Sequence, residues 1–203
     1  MPYYKSKNVL FIHIPKTGGT VIEDEIKKHC SQTLYSGYRN HVLDFPFNKI
    51  SLQHQFYQTI YDNRVKLNVD FENLKVFTVV RNPYDRLISD LFWNKMISNE
   101  TSSEQVYNVI KNNYLNNKKL DNHNVPQYKY ITDANCNIFP NIKVFRTEML
   151  NSTNEELNSF LGFSINIQKN NKQCYDKYLN RDTIDLVNEY YKKDFELFDY
   201  SFK

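Results

Sequence analysis

Cysteine, alanine and glycine are scarce in this chain of 203 residues, and each shortage removes a class of explanation. The three cysteines, Cys30, Cys136 and Cys174, lack metal-ligand spacing and leave at least one thiol unpaired, so free thiols are expected rather than a zinc knuckle or a disulfide scaffold. Alanine occurs once, at Ala134, while asparagine and lysine are abundant. The asparagines are scattered through otherwise periodic segments and form no low-complexity tract, so the bias carries little information about activity. No apolar run approaches the roughly 18 residues needed to span a bilayer, and the stretch from Met1 to Lys7 has no secretory core. We therefore expect a soluble, cytoplasmic chain without a membrane span. Strong charge is missing too. The net charge is +3 and the isoelectric point is near 8.6, too mild for the basic stripe of a nucleic-acid binder. No linker and no internal repeat interrupts the sequence, which predicts a single domain over residues 1–203 with one sizeable core.

Of the four glycines none precedes Pro15, and two are adjacent, Gly18 and Gly19. They follow the apolar segment Val9-Leu10-Phe11-Ile12-His13-Ile14 and the tripeptide Pro15-Lys16-Thr17, and they lead into an amphipathic stretch. A strand, a lysine-bearing glycine turn and a helix start make an anion cradle, because backbone N–H groups, the positive helix end and the Lys16 ammonium converge. The common triphosphate loop reads G-x-x-x-x-G-K-[ST], with its lysine after the glycines. Here the lysine comes first and the upstream glycine is missing, which weakens an ATPase reading.

A second segment repeats the architecture. Lys75 to Val80 reads as a buried strand, and Arg81-Asn82-Pro83-Tyr84-Asp85-Arg86-Leu87-Ile88-Ser89 follows it. Pro83 suits a helix start. The guanidinium of Arg81 and the hydroxyl of Ser89 together supply the donors that a tetrahedral dianion needs. Two anion sites at the ends of two strands imply one ligand carrying two separated phosphate-type groups.

Periodicity gives a strand over Asn8 to Ile14, a helix over Thr20 to Cys30, a short strand over Leu34 to Tyr38 and a helix over Gln55 to Arg64. Beyond the Lys75 to Val80 strand it gives helices over Pro83 to Ile97 and Ser103 to Leu115, and a strand over Ile142 to Phe145. A short helix over Asn154 to Leu161, ended by Gly162, and a closing helix over Arg181 to Phe198 complete the pattern. Alternating strands and helices predict an α/β fold with a central parallel sheet flanked by helices, its ligand at the carboxyl edge of the strands.

These two motifs resemble those of the sulfotransferases that use 3′-phosphoadenosine 5′-phosphosulfate (PAPS), in particular the branch of carbohydrate sulfotransferases acting on heparan- and chondroitin-type chains. The resemblance covers nearly the whole chain. It includes His123-Asn124-Val125-Pro126-Gln127, the segment Phe145 to Leu150, and the closing stretch Tyr191 to Tyr200. It implies a P-loop-like sulfotransferase fold, PAPS as donor, a hydroxyl acceptor that is a glycan, and no metal. It also implies that Lys16, Thr17, Gly18, Gly19 and Thr20 bind the 5′-phosphosulfate and that Arg81 and Ser89 bind the 3′-phosphate.

On that reading Lys16 neutralises the leaving phosphate, with the hydroxyls of Thr17 and Thr20 assisting. Arg86 either contacts the ligand or pairs with a carboxylate such as Asp85 or Asp90. The base is chosen among His13, His29, His41, His54 and His123, since imidazole titrates near neutral pH. The resemblance favours His54, with His41 competing for the same place; His123 then lines the acceptor cleft, and His13 reads as a core side chain. Glu23 and Asp24 are carboxylate alternatives. Trp93 reads as helix core. Lys111, Lys118 and Lys119 read as a solvated face that also suits an acidic glycan. Two other classes compete: a nucleotide or small-molecule kinase on a related phosphate-loop fold, which lacks its strand-end carboxylate where Arg81 stands, and a non-catalytic nucleotide-binding relative.

Overall fold

The computed structural model describes residues 1–36, 50–167 and 174–203. Its centre is a five-stranded sheet made of β1 (Tyr3–Tyr4), β2 (Val9–Ile12), β3 (Thr33–Leu34), β4 (Lys75–Val80) and β5 (Ile142–Arg146), in the spatial order β3-β1-β2-β4-β5. The inner part is parallel, with Phe11 beside Phe77 and Thr78 beside Val144. The other edge is antiparallel, since β1 pairs with both β2 and β3. The sheet is therefore mixed, which corrects the expectation of a parallel one. Only Lys5 to Asn8 separate β1 from β2, and a link that short permits a hairpin but no crossover. Asn8 closes it in the left-handed region, at φ 48°.

All four residues of β2 are buried, as expected for a strand covered on both faces. Leu10, Ile12, Val76 and Val80 face a core shared with Leu52, Tyr57, Ile60 and Tyr130. Val9, Phe11, Phe77 and Val79 face the opposite core, beneath α1 (Gly19–Lys27) and α5 (Asn154–Leu161). Phe11 stacks on Phe77 at 4.7 Å, and burying a ring of that size contributes roughly 2 kcal/mol.

Short α2 (Tyr57–Asp62) lies against the first core. A third core joins α3 (Pro83–Trp93), α4 (Ser103–Val109), α6 (Arg181–Tyr190) and α7 (Lys192–Leu197). Helix α3 starts where Pro83 follows the Asn82 cap, whose side chain accepts from Tyr84 N at 3.0 Å. Helix α4 opens on a capping box between Ser102 and Gln105 and runs on as a wider turn over Ile110–Tyr114. The predicted closing helix is two helices broken at Tyr191, and the break turns Asp194 inward, where it is fully buried. Residues 37 and 38 of the predicted short strand lie outside the described residues. Among the described residues no helix is long and apolar enough to cross a membrane.

Candidate active site

Chain leaving β2 bends sharply at two left-handed positions, Lys16 at φ 66° and Gly18 at φ 85°. Glycine at the next position answers to packing: a Cβ on Gly19 would lie 2.6 Å from His13 Nε2. The bare Gly19 backbone lets the His13 ring sit against the start of α1. Thr17 is fully buried, and its hydroxyl donates to Ile14 O at 2.9 Å. That side chain closes the turn from below rather than assisting a ligand, while the exposed Thr20 lines the cleft.

The second motif is held by contacts from distant segments. Gln127 clamps the Arg81 backbone with both ends of its amide, accepting from Arg81 N and donating to Arg81 O, each at 2.9 Å. Asp194 in turn accepts from Gln127 N and Tyr128 N, both at 2.8 Å. Burial pushes the Asp194 carboxyl up to about 6 against those bonds. Glu148 accepts from Asn82 N at 2.7 Å, and Thr147 Oγ1 lies 2.7 Å from Thr17 O, tying the end of β5 to both motifs.

Arg86 takes neither predicted role. It is buried and donates to three carbonyls, Pro15 O at 3.0 Å, Val125 O at 3.0 Å and His123 O at 2.6 Å. Those bonds fasten the first turn to the segment carrying His123. Arg81 adds a tether, with Nη1 3.2 Å from Lys16 O.

Lys16, Gly18, Gly19, Thr20, Arg81 and Ser89 line a single cleft of about 600 Å³. Burial lowers the Lys16 pKa, Asp90 opposes that shift and the Arg81 charge adds to it. His13, His54 and His123 line the same cleft, with His13 packed against the Gly19 turn. Their rings meet edge to face, with centroids 5.3 Å apart for His13 and His54 and 4.9 Å for His54 and His123.

Each of the three rings is backed by its own carboxylate. His13 Nδ1 meets Glu23, His54 Nδ1 lies 2.7 Å from Asp121, and His123 Nδ1 lies 2.6 Å from Asp90. A carboxylate on Nδ1 assigns the proton to that nitrogen and leaves Nε2 as an acceptor. Burial pushes His54 down to about 4, outweighing the raising effect of its bond to Asp121. Burial lowers His13 as well, despite Glu23. Glu23 itself is pushed up by burial but pulled further down by His13 and Gln53, to about 2. Asp121 and Asp90 behave alike: burial raises them, and their histidine partners hold them below the ordinary value. His13 and His54 thus stand in the cleft as neutral imidazoles.

His54, Asp121 and His123 could also hold a metal ion, since their ligand atoms lie within 4.8 Å of one another. Asp121 is poorly placed for it. Ser51 N at 2.5 Å, Ser51 Oγ at 2.6 Å and His54 Nδ1 already occupy three of the roughly four lone-pair sites of that carboxylate.

His29 stands at the far end of α1 against Phe163, and His41 lies outside the described residues. Asp24 is exposed and pairs with Lys27 at 3.7 Å. Lys119 lines the cleft, whereas Lys111 folds back on Tyr107. Trp93 is not core: it is 67% exposed and lines the cleft. Sequence reasoning missed Gln127 as a backbone clamp and the carboxylates as histidine partners. Only Glu23, ten residues from His13, left a local signal in the sequence.

An α/β sheet whose carboxyl edge brings two motifs rich in anion-suited donors to one cleft fits a transferase of an anionic group. The chain belongs to the sulfotransferase family, whose model it matches over residues 3–201. No curated protein and no solved structure matches it. Membership supports sulfuryl transfer in general as its chemistry.

Proposed function

We propose that this protein transfers a sulfuryl group from PAPS to a hydroxyl of a carbohydrate acceptor. The observation that carries the reading is that Lys16, Arg81 and Ser89 line one cleft together with three carboxylate-backed histidines. The donor supplies an activated sulfur that leaves adenosine 3′,5′-bisphosphate behind.

On this reading Lys16 and the N–H groups of Gly18 to Thr20 receive the charge that builds on the leaving 5′-phosphate. Arg81 and Ser89 hold the 3′-phosphate, so the nucleotide bridges the two motifs. His54 Nε2 accepts the proton of the attacking hydroxyl, and Asp121 steadies the imidazolium that forms. An anionic donor in the cleft favours that cation and offsets the desolvation that depresses the His54 pKa. One bond forms between acceptor oxygen and sulfur as the bond from sulfur to the phosphate oxygen breaks, by analogy with in-line phosphoryl transfer. The carbohydrate branch rests on the motif resemblance and on Lys119 at the cleft rim, where it suits an acidic glycan.

The test is transfer of label from PAPS to a panel of sulfated and unsulfated glycans, with thermal-shift measurements alongside. Stabilisation by adenosine 3′,5′-bisphosphate without Mg²⁺, together with labelled product, supports the reading. Stabilisation only by Mg·ATP, with no label transferred, overturns it.

A further inference from the structure

The Lys16 side chain already has a partner. Its Nζ lies 4.3 Å from the centroid of the Trp93 ring, within cation–π range. Trp93 follows Ser89 by four residues on α3, so it stands one turn further along the same helix face. It remains 67% exposed, and among the described residues it has no other ring or hydrogen-bond partner. The backbone at Lys16 cannot shift freely. Pro15 O is tied to Arg86 and Lys16 O to Arg81, so any move of the ammonium runs through the four-carbon stem.

We propose that Trp93 is a positioning residue for Lys16: its indole face seats the ammonium while the cleft is empty and releases it to the phosphosulfate end of the donor. This rests on the donor reading above. The seat acts alongside two charges on the ammonium, the Asp90 carboxylate that attracts Lys16 and the Arg81 guanidinium in the same cleft that repels it. The seat is also weak enough to yield. An exposed cation–π contact shifts an equilibrium by about two- to five-fold, whereas a charge-assisted hydrogen bond to a phosphate oxygen is stronger. The sign follows from this competition. Occupying the seat costs the donor affinity, so removing the seat tightens binding. Loss of a merely structural tryptophan would loosen it.

Trp93 is the chain's single tryptophan, so its emission reports the seat directly. Full-length protein is titrated with adenosine 3′,5′-bisphosphate and followed in parallel by calorimetry and by tryptophan emission. We expect a saturable emission change in the wild type, a dissociation constant two- to five-fold lower in Trp93→Leu by calorimetry, and an intermediate value in Trp93→Phe. An unchanged or weaker affinity in Trp93→Leu, or constant emission at calorimetric saturation, overturns the assignment while leaving the donor reading intact. Failure of the wild type to bind the nucleotide at all removes both.

Discussion

Two sets of side chains line the cleft, one of hydrogen-bond donors and one of imidazoles. Lys16, Arg81 and Ser89 are the donors, whereas His13, His54 and His123 are each backed by a carboxylate on Nδ1. The donor set is placed by backbone shape at two strand ends. The histidine set comes from positions 13, 54 and 123, each fixed by a carboxylate at 23, 121 or 90. A cleft lined in this way suits an anion beside a hydroxyl proton, and neither set alone defines a reaction.

The comparison breaks most visibly in the donor set. Lys16→Ala and Arg81→Ala should each lower label transfer by about 10²–10³-fold or more, as removal of a transition-state donor does; wild-type turnover in either purified variant would remove that set from the chemistry. In the histidine set, His54→Ala should lower kcat by about 10²-fold or more with the donor KM little changed. Equal losses in His54→Ala and His13→Ala would show that the rings act only as scaffold.

The joint between the two sets is Arg86. Replacing it with methionine strips donors from the carbonyls of Pro15, Val125 and His123 and should cost at least about 3 kcal/mol, seen as a lower midpoint in urea unfolding.

Acid should affect the histidine set first. Folded His54 resists its proton down to about 4, while the unfolded chain takes it near 6.5. Between those values the unfolded state binds more protons, so stability is full above the upper value and falls as pH drops, by about 1.4 kcal/mol per unit at most. Glu23 extends the loss from 4.5 towards 2, because its depressed carboxylate must then be protonated. His54→Asn should shrink the loss in the upper window, where His13 still contributes, and leave the lower one. The smallest change belongs to the rim: Lys119→Ala should raise the acceptor KM by about two- to five-fold, with the donor KM unaffected. Uniform loss toward acidic and neutral glycans would argue against a charge-reading role.

Reading ahead of structure succeeded where an element is written by contiguous residues. The strand over Lys75 to Val80 and the helix over Asn154 to Leu161 agree with the structure residue for residue, since a covered strand and a glycine-stopped helix write their limits locally. Lys16, Gly18, Gly19 and Thr20 line the cleft as a turn of that composition suggests. Thr17 escaped the reading because a hydroxyl adjacent to a turn points in or out according to its φ and ψ, which composition does not reveal. Trp93 was misread because an aromatic beside Leu91 and Phe92 on a helix is commonly buried, and only the fold opens that face of α3 onto the cleft. Arg86 looked like a ligand or ion-pair group, yet its partners are backbone carbonyls, which every residue has and no sequence marks.

From the order of its residues alone, this protein commits to two strand-to-helix turns of the composition that suits anions, because glycine freedom, proline geometry and fixed charge act within a few bonds. The tertiary structure alone decides that both turns open into one cleft, and that histidines separated by dozens of residues line it too, with a carboxylate behind each ring. Contacts across such separations depend on how the sheet and its covering helices close around the buried aromatics, and no local pattern encodes that closure.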